Sequence, residues 1–177
     1  PNITAFTAVF NPDSTDLKSA RKLCNEIEVP LVEVPVIVDR SAIQVALETI
    51  EIKSKAQIEI AALCIPLAQR ISAEGFKACL SGEAADELFG GYGNFCIAAS
   101  KTDDVVPLRI EQLRKMSRGN FIRCNKSFMA AGVECRLPFM EQKLVEQSVQ
   151  ASKSESPLGK KLLKEAAKST LPAWVIK

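Results

Sequence analysis

The chain has no histidine. That excludes Ser-His-Asp and Cys-His catalysis and most transition-metal sites together. Proton and charge handling in an enzyme of this composition must fall on Asp, Glu, Lys, Arg, Tyr or a bound Mg²⁺. No apolar run approaches ~20 residues, so nothing reads as a bilayer span. The opening Pro1-Asn2-Ile3-Thr4 lacks the basic head and apolar core of a signal peptide. None of the six cysteines forms a CxxC pair, and most sit in apolar stretches. They read as reduced thiols of a cytoplasmic protein rather than as a zinc site or a disulfide framework. The net charge of +2 is too small an excess to point to nucleic acid or a membrane surface.

What is present is ordinary for a globular protein: 177 residues, 47% hydrophobic and 25% charged. Residues 3–10 alternate and carry β-formers, so they read as a strand. Asn11-Pro12-Asp13-Ser14 is a turn. Asp16 or a neighbouring Ser or Thr can cap a helix running to about Glu28, with Leu17, Ala20, Leu23, Cys24 and Ile27 on one stripe. Pro30 breaks it, and 31–34 reads as a short buried strand. That strand–helix–strand spacing is what a parallel pair with a crossover helix requires.

Two helices follow, about 39–52 and 55–74, the second with Pro66 inside, which should kink it, and Gly75 after its end. Residues 76–80 read as a third strand. Beyond Tyr92 no strand is evident. Helical stripes recur near 107–117, 119–131, 141–151 and 159–170, with polar loops at Lys101–Asp104 and Ser152–Ser156. The expected fold is α/β: a parallel sheet with helices on both faces over residues 1–92, then an all-helical part over 93–177.

The chemistry concentrates in Ser81-Gly82-Glu83-Ala84-Ala85-Asp86-Glu87-Leu88-Phe89-Gly90-Gly91-Tyr92. This stretch follows a strand and opens a short helix, the place where open α/β sheets bind ligands. Ser81 and Gly82 can let backbone approach a nucleotide, and free amides at a helix start favour an anion. Three carboxylates, Glu83, Asp86 and Glu87, would suit a Mg²⁺–phosphate complex, because the metal inverts the local charge logic. A capped helix with a solvated acidic face explains the same spacing. Lys160 at a helix start could be an ordinary solvated lysine, and Glu134 with Arg136 a structural ion pair.

The segment LSGEAADELFGGY resembles the LSGEGADELFGGY signature of asparagine synthetases and related ATP pyrophosphatases. Further blocks keep order and spacing. Residues 123–139 resemble "RxN/D…G[VL]ExRxPF", Lys160–Ala166 with Leu171-Pro172 resembles "KxxLRxA…LP", and the opening strand resembles "FTVGF…S.DL..A". The resemblance covers essentially the whole chain. It implies an adenine nucleotide α-hydrolase-like fold, with ATP and Mg²⁺ as cofactors.

The implied activity is adenylation of a small-molecule carboxylate such as aspartate, releasing pyrophosphate. An amine or ammonia then displaces AMP. The resemblance assigns Ser81 and Gly82 to the adenosine, Val9 to the adenine, and Asp86 to Mg²⁺–pyrophosphate. It assigns Glu83 to the reacting substrate and Lys160 to the α-phosphate.

The family's first strand and SGGxDS loop would precede Pro1, so the chain is expected to be incomplete at its N-terminus and inactive in exchange by itself. A separate glutaminase subunit could supply ammonia, and a homo-oligomer is compatible with the family. Departures from the pattern are Ala84 for a glycine, Glu141 for an aspartate and Gly159 for an acidic residue. If the family glycine has positive φ, Ala84 should be strained. Two other readings share these residues: a non-catalytic remnant acting as an interaction module, and a relative with another substrate, such as a β-lactam synthetase or lasso-peptide cyclase.

Overall fold

The computed structural model describes residues 3–151 and 159–176; the expected polar loop Ser152–Ser156 lies outside them. In chain order the strands are β1 (Ala5–Val9), β2 (Leu31–Pro35), β3 (Ala78–Leu80) and β4 (Glu134–Arg136). The helices are α1 (Thr15–Glu26), α2 (Arg40–Ile50), α3 (Lys55–Ala73), α4 (Ala85–Phe89), α5 (Gly93–Ala99), α6 (Val106–Arg118), α7 (Asn120–Met129), α8 (Gln142–Gln150), α9 (Lys161–Ala166) and α10 (Ala173–Ile176). No helix among the described residues is long and apolar enough to cross a membrane.

The chain forms two compact units. The first takes residues up to Cys79 together with Phe121–Cys135; the second takes Leu80–Asn120 and the residues from Arg136 onward. The fold is mixed α/β with small parallel sheets.

In the first unit, β1 and β2 pair in parallel with Ala5 opposite Leu31 and Val9 opposite Pro35. The amide of Ala5 donates to Pro30 O at 2.8 Å and that of Val36 to Val9 O at 3.0 Å, which closes both ends of the ladder. The crossover is α1. Ser14 caps it, its hydroxyl accepting the Leu17 amide at 3.2 Å. Arg21 on α1 forks onto both Glu33 oxygens of β2, at 2.6 and 2.7 Å. That pairing, helped by charge attraction and opposed by desolvation, holds the Glu33 carboxyl below its ordinary range.

Asp39 caps α2 through the Ala42 amide at 2.8 Å. Helix α3 runs unbroken through Pro66 and packs, like α1, on the β1–β2 pair. The core between α2 and α3 is made of Ala46, Ile50, Ala61, Ala62 and Ile65. Small alanines there let the helices approach closely. Phe6 meets Phe76 edge-on with ring centres 5.6 Å apart.

Strand β3 does not join β1 and β2 as expected. Among the described residues it pairs instead with β4 in a second two-stranded sheet. The Glu134 amide donates to Lys77 O at 2.8 Å, and the Ser81 amide donates to Arg136 O at 3.0 Å. Numbering rises along both strands together, so this pair is also parallel. The later part of the chain is therefore not all-helical. Strand β4 is three residues long with charged ends, and its hydrogen bonds come from a partner more than fifty positions away.

The second unit packs Phe95 and Ala99 of α5 against Val105, with Leu108 of α6 at the edge. Helix α4 contacts α6, α8 and α9. Leu88 is fully buried, and Phe89 meets Phe139 edge-on at 6.1 Å. Arg109 on α6 is wholly buried, donates to Ala151 O, and has its pKa lowered by desolvation.

Candidate active site

The loop after β3 and the start of α9 belong to the second unit, and backbone hydrogen bonds join them. The Gly159 amide donates to Gly90 O at 2.9 Å, and the Lys160 amide donates to Phe89 O at 3.0 Å. These orphan carbonyls at the end of α4 are thus satisfied by the residues that begin α9. The approach needs two successive left-handed residues, Gly159 at φ 75° and Lys160 at φ 58°. Glycine at 159, a departure from the family pattern, suits that turn.

Its consequence is that the Lys160 ammonium meets Asp86 Oδ1 at 2.9 Å, with about a third of each side chain exposed. Gly91 makes room for the pair. A Cβ at 91 would lie 1.7 Å from Asp86 Oδ1 and 3.1 Å from Lys160 Cε. The Gly91 amide also donates to Asp86 O at 2.9 Å. No side-chain property marks Gly91 in the sequence; its role is to lack one.

Upstream, the Ser81 hydroxyl accepts the Glu83 amide at 3.3 Å while the Ser81 amide is tied to β4. A Cβ at Gly82 would meet no atom within 4 Å, so backbone there is open to close approach. Ala84 sits at φ 79°, ψ −13°, buried, immediately before α4. The anticipated strain is present: a left-handed alanine stands where the family pattern has glycine. Helix α4 spans only five residues, so its dipole adds little to anion binding.

The three carboxylates do not act as one group. Among the described residues no set of three or more His, Cys, Asp or Glu has the geometry to hold a metal ion. Glu87 turns inward, 3% exposed, and accepts Tyr92 Oη–H at 2.8 Å and Asn120 Nδ2 at 3.1 Å. The same Asn120 amide reaches Glu83 Oε2 at 3.4 Å. Asn120 therefore bridges a buried structural carboxylate and a candidate catalytic one. Sequence reasoning missed it, because nothing local separates Asn120 from any helix-capping asparagine.

Burial, the Glu87 hydrogen bond, and the charges of Glu87, Asp86 and Glu83 all raise the Tyr92 phenol pKa. Of these carboxylates, Asp86 is the one paired with Lys160. Val9, expected beside adenine, ends β1 in the first unit, where its carbonyl holds the Val36 amide.

The sequence profile of the asparagine synthase family matches residues 1–108 and 100–177. The chain belongs to the asparagine synthase family. It is 31% identical over 185 aligned positions to asparagine synthetase B (glutamine-hydrolyzing) of Escherichia coli, covering 99% of this chain and 32% of that protein. It is 29% identical over 157 positions to a probable glutamine-hydrolyzing asparagine synthetase of Schizosaccharomyces pombe, covering 88% and 28%. With asparagine synthetase 1 of Saccharomyces cerevisiae the identity is 36% over 80 positions, covering 45% and 14%. The chain spans about a third or less of the length of these relatives. Its Ser81–Tyr92 segment lies within the first of the two matched ranges.

Proposed function

We propose that this chain is the ATP-handling part of an amide-forming ligase. It would adenylate a carboxylate, aspartate being the first candidate, and pass the acyl group to ammonia or another amine. One observation carries the reading: the Lys160 ammonium held 2.9 Å from Asp86, at the family's signature loop. Membership of the asparagine synthase family supports the same reading.

The reaction joins a carboxylate oxygen to the α-phosphorus of ATP and breaks the bond to the β-phosphate oxygen, so pyrophosphate leaves. Negative charge gathers on the α-phosphoryl oxygens as the bond forms. Lys160 would stabilise that charge from a position already fixed by Asp86 and by its own left-handed backbone, so little reorganisation precedes the step. Glu83, steadied by Asn120, would orient the substrate. Ser81 and Gly82 would contact the adenosine through backbone and small side chains.

Mg²⁺ prefers one or two protein carboxylates together with phosphate oxygens and water. The partly exposed Asp86 fits that requirement as a single carboxylate ligand, and the ion would offset phosphate charge. Ammonia could come from a glutamine-hydrolysing partner or domain.

The test is product analysis. Full-length protein given ATP, Mg²⁺, aspartate and ammonia should form AMP, pyrophosphate and asparagine in equal amounts. AMP formation only with a different carboxylate would shift the substrate class. No AMP with any amino-acid or peptide carboxylate, in a protein that binds ATP, would favour a non-catalytic interaction module.

A further inference from the structure

The first unit draws together four of the six cysteines. Cys64 lies on α3, Cys79 on β3, Cys124 on α7 and Cys135 on β4. The Cys124 thiol donates to Cys135 Sγ at 3.2 Å. The bonds from the Glu134 amide to Lys77 O and from the Ser81 amide to Arg136 O set Cys79 beside Cys135 across the β3–β4 ladder. Cys135 thus neighbours both Cys124 and Cys79. The set does not have metal-binding geometry, so these thiols answer mainly to one another.

We propose that Cys79, Cys135 and Cys124 form a hydroperoxide-responsive thiol relay that ends in a Cys124–Cys135 disulfide. Cys79 and Cys135 are both partly exposed, and Cys124 is buried. The hydrogen bond from Cys135 holds the Cys79 thiol below its ordinary pKa, which favours the reactive thiolate. Against the pull of the Cys124 hydrogen bond, donation to Cys79 and burial push the Cys135 thiol up to about 12. Oxidation therefore starts at Cys79.

The Cys79 thiolate attacks a peroxide oxygen, forming S–O and breaking O–O, and hydroxide leaves. The Cys135 sulfur then attacks Cys79, forming S–S and breaking S–O; water departs with the Cys135 proton. Cys124 attacks the Cys135 sulfur, and its proton returns to Cys79 as the thiol is released. Overall, two thiols and one hydrogen peroxide become one disulfide and two waters, the peroxide taking two electrons from sulfur.

The last exchange is favoured by the backbone. Cys79 and Cys135 lie on neighbouring strands fixed by their ladder, including the 2.8 Å bond from Glu134 to Lys77. Cys124 and Cys135 are joined through the turn containing Gly132, at φ 69°. That turn can absorb the roughly 1 Å closure from thiol contact to an S–S bond of about 2.05 Å. In a reducing compartment such a bond would be transient, as redox-sensing disulfides are.

The test is thiol mapping. Natively folded full-length protein is treated with a few equivalents of hydrogen peroxide, alkylated, and digested without reduction. The relay predicts a Cys124–Cys135 linked peptide that dithiothreitol removes, while Cys24 and Cys96 remain alkylated. In Cys79→Ser the same link should form about tenfold more slowly, with circular dichroism confirming the fold. A lasting Cys79–Cys135 link, an unchanged rate in Cys79→Ser, or oxidation of Cys24 or Cys96 before any link forms would each overturn the proposal. The mapping of the unmutated protein decides the central point without any variant.

Discussion

Gly91 lies so close to Asp86 that a Cβ at position 91 would sit 1.7 Å from Asp86 Oδ1. The atom in the way is the end of a short side chain, which can rotate, rather than backbone. Gly91→Ala should therefore cost at most about 1–3 kcal/mol of stability, the usual range for overpacking. It should nevertheless displace the carboxylate that holds Lys160. A misplacement of about 1 Å is enough to lower rate about 100-fold. Urea unfolding alongside AMP release checks the split; full activity in Gly91→Ala would remove the pair from the mechanism.

Ala84 tests the backbone. Its left-handed conformation, φ 79°, costs about 1–2 kcal/mol in a non-glycine residue. Glycine would relieve that cost, but would add about 0.5–1 kcal/mol of chain entropy and lose a buried methyl of about 0.8 kcal/mol. These terms nearly cancel, so Ala84→Gly should change stability by less than about 1 kcal/mol. Ala84→Val should lose at least about 2 kcal/mol, because a β-branched side chain is worse at this φ and the site is buried. Thermal unfolding of the two variants gives the comparison.

Much of the first unit was legible because its signals are local. Ser14, Asp39 and Pro30 punctuate the chain, and α2 and α3 fall within a residue or two of their expected bounds. Ile27, expected on the buried stripe of α1, follows the helix as its cap and is exposed. Strand β4 was not legible, because Glu134-Cys135-Arg136 becomes a strand only by pairing with β3. The separation of β3 from β1 and β2 was hidden for the same reason: periodicity identifies strands, not their neighbours.

Within the site, Ser81, Glu83, Asp86 and Lys160 were marked by residue type and by resemblance. Gly91 and Asn120 were not. One acts through an absent side chain and the other through contacts 33 and 37 positions away.

Tyr92 is the chain's single tyrosine, and its phenol pKa is raised by burial, by Glu87 and by the surrounding carboxylates. A raised folded-state pKa contributes stability that is fully present below the unfolded value of about 10. It is lost as pH rises through the folded value, since the unfolded state releases its proton first. The difference in 295 nm absorbance between the parent protein and Tyr92→Phe should show less phenolate at pH 10 than a free tyrosine, which is about half ionised there. Tyr92→Phe should lose about 1–2 kcal/mol at pH 7, where Glu87 forfeits a hydrogen bond. Its stability should also depend less on pH above 10. Ionisation at an ordinary pKa would mean that Tyr92 does not hold Glu87 in solution.

Under the proposed function Lys160 acts at the α-phosphate, and aspartate-dependent exchange of labelled pyrophosphate into ATP measures that step directly. In full-length protein, Lys160→Ala should lower exchange by at least about 1000-fold while ATP affinity changes by less than about threefold. That split marks a group whose contribution appears mainly in the transition state. Exchange that survives in Lys160→Ala, or falls only in proportion to weaker ATP binding, would contradict the proposed role of the Asp86–Lys160 pair.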